Sequence, residues 1–340
     1  MARKTARPLA LRACLEKAAR IDRMPGIRRR WFSMEPKVLQ RKFCGCLVGL
    51  AIGDALGAPF EGRWWVSGSE VHAAARRRSV LRYTDDTHMA LGVAESLVAC
   101  GGFDGRHMAE TFVRNFEREP WRGYGPGPPR IFRRIKLGAP WDRAAEDIYP
   151  GGSFGNGAAM RAAPVGLFYY RDPDRLREVA HLSARITHAH PLGKEGAALQ
   201  AYAVAVAAVC GPSGSPADVL NELKAFAVHQ VYRAKLEQVQ DLLRSGDKSE
   251  VAARLGNGVE AFESVPTAVC CALRHPESFE DAVVEAASLG GDADTIASMT
   301  GAISGAWLGI EAIPGEWVEK LENRDYVEYL AHRLFEAACG

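Results

Sequence analysis

The sequence predicts a single all-α domain, a compact helical bundle, and three observations carry that prediction. Apolar residues recur at spacings of three and four along most of the chain, and few stretches alternate as half-buried strands do. The composition, 47% hydrophobic and 25% charged, supplies a sizeable core, and no solenoid-type repeat or low-complexity tract interrupts it. Two stretches carry glycine at every fourth position, a spacing that gives a helix one bare face.

Taken in order, the periodicity predicts helices over 37–57, 87–100, 106–118, 175–187, 194–210, 217–245, 249–274, 279–288, 295–310 and 325–337. The first holds Gly45, Gly49, Gly53 and Gly57; the segment 295–310 holds Gly301, Gly305 and Gly309, in line with Ala293 and Ala297. A glycine inside a helix costs up to about 1 kcal/mol relative to alanine, so the series needs a compensating gain. Close backbone approach supplies one, and it places both helices at the centre of the bundle, packed against each other. Ser215-Pro216-Ala217-Asp218 is a helix start. Loops are expected at 122–129, 149–157 and 210–215, where glycine and proline cluster.

The net charge of +2 hides an asymmetry: residues 1–35 hold ten Lys/Arg against Glu16, Asp22 and Glu35, leaving the rest mildly acidic. The chain therefore divides into a basic extension, 1–35, and a folded domain, 36–340. The extension suits either a mitochondrial presequence or a disordered leader. An acidic body argues against nucleic-acid readout as the main activity. No stretch reaches the roughly 18 uninterrupted apolar residues of a membrane span. The eight cysteines form no C-x-x-C pair, and most lie in apolar helical runs, as free thiols of a reducing compartment do. An intracellular protein is expected, cytoplasmic or, from its leader, mitochondrial, and monomeric.

Chemistry concentrates in two acidic motifs, Thr84-Asp85-Asp86-Thr87 and Asp292-Ala293-Asp294-Thr295, each just ahead of a predicted helix. Asp and Thr also serve as caps there, accepting bonds from free N–H groups and offsetting the dipole. Yet each motif holds two carboxylates where one cap acceptor would do, and the second follows Leu289-Gly290-Gly291, a loop suited to close approach. Clustered carboxylates repel unless a cation lies among them, and oxygen ligands select hard cations, Mg²⁺, Mn²⁺ or Ca²⁺. The reading requires the two motifs to meet in space. Glu61, on a stretch able to move as a flap, is a further candidate acid. Residues Gly152, Ser153, Phe154, Gly155 and Asn156 form a Gly-rich run whose N–H groups suit a phosphate, with Phe154 placed to stack on a base. Gly123 and Gly125 offer a second nest. His188, where a helix ends, reads as a cap, a core histidine or a substrate contact. No Ser/His/Asp or Cys/His spacing points to covalent catalysis.

At these residues the chain resembles the ADP-ribosylglycohydrolase family over roughly 40–335, through five motifs in order: 45–61, 83–89, 152–161, 186–193 and 288–309. Glu61 after Ala-Pro-Phe, Arg122-Gly123-Tyr124-Gly125 and Leu255-Gly256-Asn257-Gly258 are similar to the branch that cleaves O-linked ADP-ribose, from serine and from poly-ADP-ribose. The resemblance implies an orthogonal helical bundle around a central binuclear metal site holding two Mg²⁺ ions, with Mn²⁺ an alternative. Its implied ligands are Glu61, Thr84, Asp85, Asp86, Asp292, Asp294 and Thr295. Ser153, Gly155 and Asn156 would hold the diphosphate, Phe154 the adenine, and His188 and Val259 would contact substrate. Two ions would grip the distal ribose and orient water toward C1″, with Asp292 or Glu61 taking its proton. ADP-ribosylated proteins, ADP-ribose, O-acetyl-ADP-ribose and poly-ADP-ribose are the implied partners. Phe154 stands where the branch usually has Tyr, the branch's second aromatic falls near Ile148 or Tyr149, and His190-Pro191 is similar to arginine-acting branches. An N-linked arginine specificity and an inactive, crystallin-like or ADP-ribose-binding protein are the competing readings.

Overall fold

The computed structural model describes residues 34–245 and 247–339, so the predicted extension lies outside the described residues except for Met34 and Glu35. The helices are α1 (Pro36–Gly57), α2 (Gly68–Arg77), α3 (Asp85–Cys100), α4 (Gly105–Arg118), α5 (Gly127–Lys136), α6 (Ala163–Phe168), α7 (Pro173–Arg185) and α8 (Pro191–Cys210). They continue with α9 (Pro216–Phe226), α10 (Gln230–Ser245), α11 (Lys248–Leu255), α12 (Ala261–Arg274), α13 (Phe279–Ala287), α14 (Ala293–Leu308), α15 (Gly315–Lys320) and α16 (Arg324–Cys339). The fold is all-α: no strand forms among the described residues, where only isolated bridges join Leu81 to Leu321 and Gly155 to Glu260.

The two glycine series do face each other. A Cβ added at Gly45 would lie 2.5 Å from the Gly305 carbonyl oxygen, and one at Gly49 would lie 2.4 Å from that of Gly301. At Gly53 the neighbour is Ala297 O at 2.1 Å, and at Gly57 it is Ala293 O at 2.4 Å. The pairing runs in opposite senses along the two helices, so α1 and α14 are antiparallel and touch backbone to backbone over four turns. Any side chain in the seam would force them apart. The dispersion contacts of two close backbones offset the glycines' helix cost. Lys42 closes the far end of the seam by donating to the carbonyls of Trp307, at 2.8 Å, and Ala306, at 3.3 Å, which α14 leaves without intrahelical partners. Burial pulls its ammonium down to about 8.

Around this pair pack α8, α12, α13 and α16, and the core is continuous. Two of these core segments, Pro36–Phe60 and Pro191–Ser213, are long and apolar enough to qualify as membrane spans by length and mean hydropathy, although polar residues interrupt both. Both have 89% of that apolar window buried inside the protein, as central helices do.

Two predicted helices are broken. The segment 217–245 divides at Ala227–His229, where Ala227 turns to extended backbone and caps α9. The segment 249–274 divides at Gly256, whose φ of +86° ends α11. Helices α2, α5, α6 and α15 are additional to the predicted set; α6 and α15, of six residues each, carry too few turns to show a periodic face. The start of α5 falls inside a predicted loop because Pro128 and Pro129 occupy its first turn, where a missing N–H costs nothing.

Candidate active site

The antiparallel seam decides where the acids meet. Because Gly57 at the end of α1 abuts Ala293 and Asp294 at the start of α14, the second acidic motif sits beside the chain that leads to Glu61. The first motif is fixed by Asp54, one turn earlier on α1 and fully buried. Its carboxylate accepts from the Thr84 N–H at 3.0 Å, the Thr84 hydroxyl at 2.8 Å, the Thr87 N–H at 3.0 Å and the Thr87 hydroxyl at 2.6 Å. Helix α1 thus positions both motifs, one by backbone contact and one by a buried carboxylate. They touch: the Thr295 hydroxyl donates to Asp86 Oδ2 at 3.4 Å.

The acids crowd. Asp86, Asp292 and Asp294 are buried, and ligand oxygens of Glu61, Asp292 and Asp294 lie within 4.8 Å of one another. Burial, with Asp54 and Asp294 adding repulsion, pushes Asp85 up to about 8. Burial pushes Asp54 up to about 7, against the hydrogen bond from Thr87. Asp86 and Asp292 are raised well above the usual carboxylate range by burial and by neighbouring acids, and Glu61 is raised first by Asp294 and then by burial. Asp86 Oδ1 is buried and has no hydrogen-bond partner. An orphaned carboxylate oxygen inside an acid cluster fits an oxygen-liganded divalent cation.

Above the acids opens a cleft of about 310 Å³. Glu61, Thr84, Asp85, Asp86, Asp292, Asp294 and Thr295 all line it, together with Gly123, Gly125, Ser153, Gly155, Asn156, His188 and Val259. Two residues predicted for it do not. Gly152 packs on the backbone before α8, where an added Cβ would come within 2.1 Å of His190 N. Phe154 is 45% exposed and stands outside the lining, its ring against His190 and Phe262 at centroid distances of 5.6 and 6.0 Å. Tyr149 does line the cleft, facing Gly127.

The walls are braced from behind. The Asn156 N–H donates to Val259 O at 2.8 Å and the Ala261 N–H to Phe154 O at 3.0 Å, so the Gly-rich run pairs with the break between α11 and α12. The Asn156 side chain donates to Ser264 Oγ at 3.1 Å and to Asp292 Oδ2, linking this wall to the floor. Asn257 O accepts from the Asp292 N–H at 2.8 Å. The Glu61 segment is less free than a flap: Gly62 N–H donates to Gly291 O at 2.8 Å and Gly291 N–H to Arg63 O at 2.9 Å. On the opposite wall the Tyr124 hydroxyl lies 2.9 Å from His88 Nδ1, and Arg122 bridges Glu119 and Glu322.

A half-buried histidine and a buried arginine complete the cleft. Burial and Arg161 hold the His188 imidazole down to about 3, so it is neutral, with Nδ1 2.7 Å from the Thr187 hydroxyl. Arg161, assigned no role from the sequence, is fully buried and donates to Gly157 O and Ser183 O at 2.9 and 3.1 Å, over the Phe112 ring. The sequence signal for Asp54 was a lone acid inside an otherwise apolar helix; read only as the end of an apolar run, it was passed over.

Carboxylates around such a cleft can take a proton from water or hold a cation that activates it. Comparison with known proteins specifies the class. A sequence profile of the ADP-ribosylglycohydrolase family matches residues 35–340. The chain is 36% identical to the ADP-ribosylhydrolase ARH3 of Mus musculus, over 87% of this chain and 92% of that one, and 35% identical to its Homo sapiens counterpart, over 87% and 94%. It is 28% identical to the ADP-ribosylarginine hydrolase Tri1 of Serratia proteamaculans, over 86% and 79%. A solved ADP-ribosylglycohydrolase-related protein complex superimposes with a TM-score of 0.69 at 30% identity, over 89% of this chain and 99% of that one. The chain belongs to the ADP-ribosylglycohydrolase family, on the ARH3 branch, and is a glycosidic-bond hydrolase that acts on ADP-ribosyl groups.

Proposed function

We propose that the protein is a divalent-cation-dependent hydrolase of O-linked ADP-ribose, acting on serine-linked ADP-ribose, poly-ADP-ribose or O-acetyl-ADP-ribose. The observation that carries the cation is the orphaned oxygen of Asp86, a carboxyl that burial first, and then its acidic neighbours, raise well above the usual range. Glu61, Thr84, Asp85, Asp86, Asp292, Asp294 and Thr295 would hold two Mg²⁺ or Mn²⁺ ions. Bound there, such ions supply charge neutralisation and polarise a hydroxyl or a water.

The chain's residues do the rest. The Ser153 hydroxyl and the Gly155 N–H beside it hold the diphosphate, the Asn156 N–H being committed to Val259 O, and the neutral His188 lines the wall without adding charge. Val259 gives an apolar contact, and Phe154 at the rim stacks on the base by a turn of its exposed ring. Glu61 takes the proton of the attacking water on its carboxylate as positive charge develops on the ribose ring. Glu61 is favoured over Asp292 because Asn156 already occupies one Asp292 oxygen, whereas Glu61 faces solvent. Buried thiols at Cys44, Cys46, Cys270 and Cys271 support an intracellular setting.

Arginine-linked ADP-ribose is the second reading, favoured by His190-Pro191 and the Serratia relative. Serine-linked and arginine-linked substrates assayed side by side decide. Serine release in excess, stopped by EDTA and restored by Mg²⁺, is the expected result. Preferential arginine release refutes the O-linked reading, and undiminished release in EDTA refutes the cation.

A further inference from the structure

A second groove, about 520 Å³ in volume, lies behind the turn that carries Glu61. Its walls are Ala58 and Pro59 on one side and Arg77, Arg78, Val80 and Arg82 on the other. No acidic side chain lines it, and among the described residues none of the three arginines has a carboxylate within 4.0 Å. Some exposed arginines elsewhere are paired, as Arg63 is with Glu70 and Arg175 with Glu178; here three without a carboxylate converge on one groove. Arg77 lies in the last turn of α2, where a cation offsets the helix dipole, but Arg78 and Arg82 lie beyond the helix and need another reason. Arg78 is half-buried, held by one bond from Nη1 to Ala55 O at 3.2 Å, and burial lowers its guanidinium's pKa. A cation drawn partly out of water without an anion is set to receive one.

The position gives the anion's identity. Ala58–Phe60 is a single 3₁₀ turn whose Ala58 and Pro59 line the groove, and Glu61, the residue that follows the turn, lines the catalytic cleft. At about 2 Å rise per residue, Pro59 in the groove wall and Glu61 in the cleft wall stand within several ångströms along the backbone. A ligand long enough to occupy both carries closely spaced negative charges outside its reacting end.

We propose that the Arg77–Arg78–Arg82 groove binds the pyrophosphate of a neighbouring ADP-ribose unit while the terminal unit of a poly-ADP-ribose chain occupies the cleft. This rests on the O-linked reading above and extends it to the polymer. Planar guanidinium forks match phosphate oxygens, and three of them spaced along a groove hold a chain without reading its bases.

The test compares wild type with Arg77→Glu/Arg82→Glu, both exposed positions, using fluorescence anisotropy with labelled poly-ADP-ribose of defined length and calorimetry with monomeric ADP-ribose. Polymer affinity falls about tenfold or more, and the slope of log affinity against log salt becomes shallower by about 1.4, that expected for two lost phosphate contacts on a single strand. Arg82→Gln alone gives about half that change in slope, and monomer affinity stays within about twofold. Unchanged polymer affinity and slope overturn the groove, as does an equal loss for the monomer. Single-stranded RNA of the same length binding as tightly as polymer also overturns it, in favour of a general nucleic-acid groove. Wild type that binds ADP-ribose but not polymer overturns both the groove and the polymer reading, which separates the two failures.

Discussion

The two acidic motifs use the same residue types at the same place on a helix, yet the protein holds them by different means. Thr84-Asp85-Asp86-Thr87 is gripped from below by a buried carboxylate, Asp54, which takes hydrogen bonds from both threonines. Asp292-Ala293-Asp294-Thr295 has no side-chain cap at its start; it is placed by the glycine seam under Ala293 and by Asn156 and Asn257 from the side. One motif is positioned by charge and the other by the closeness of two backbones. The first should fail when a polar partner changes, and the second when a methyl group is added.

The largest effect comes from the acids themselves, where the difference in bracing should vanish. Asp85→Ala and Asp294→Ala each lose far more activity than the about 10- to 100-fold typical of outer partners of a metal site. Far-UV circular dichroism stays unchanged. Near-normal turnover in either variant would break the symmetry between the motifs and remove one of them from the chemistry.

The braces come next. Asp54→Asn keeps the shape but turns one acceptor into a donor facing donors, and divalent-cation affinity by calorimetry should drop about 10- to 100-fold. Gly57→Ala puts a methyl carbon 2.4 Å from Ala293 O and 2.6 Å from Asp294 Cα. Overpacking of that kind costs about 1–3 kcal/mol, read by denaturant unfolding. Gly125→Ala, with open space at its Cβ, is the matched control and should stay within about 0.5 kcal/mol. A neutral Gly57→Ala would show that the seam does not fix the second motif.

What the sequence made legible follows the same division. Glycine at every fourth residue on two distant helices is a strong signal because each glycine is costly alone, and it located both the central pair and its mutual contact. Doubled acids at helix starts were visible because one cap acceptor would do, whereas Glu61, an ordinary type for a loop, and Ser153, Gly155 and Asn156, in a common kind of Gly-rich loop, were singled out mainly by the family resemblance. Asp54 was not, since a single acid in an apolar run has no local pattern; its meaning lies in threonines thirty and thirty-three positions away. Arg161 was hidden in the same way, its partners being carbonyls of other segments. Periodicity ran through the breaks at Ala227 and Gly256 because the flanking helices keep similar apolar spacing. The φ that ends α11 depends on Glu263 and Thr267 folding back onto the Gly256-Asn257-Gly258 turn. Gly152 and Phe154 show the limit of reading a Gly-rich run as one nest: their neighbours turn inward, while Gly152 meets the α8 start and Phe154 the rim.

The smallest effect separates the motifs' shared chemistry from their bracing. Burial raises Asp54 and Asp85 in the folded state to about 7 and about 8, above the ordinary aspartate value of about 3.9. For an acid raised on folding, the unfolded chain ionises first. These groups therefore favour the fold at low pH, and that advantage is lost progressively as pH climbs from near 4 toward 8. A divalent cation reverses the balance, because it binds the ionised carboxylates and releases their protons, so its stabilisation grows over the same interval. The rise in Tm produced by saturating Mg²⁺ should accordingly be larger at about pH 8 than at about pH 5.5, and Asp85→Asn should flatten the difference. An increment independent of pH would mean that the acids are already ionised without the cation, and that burial and mutual repulsion do not keep their protons on.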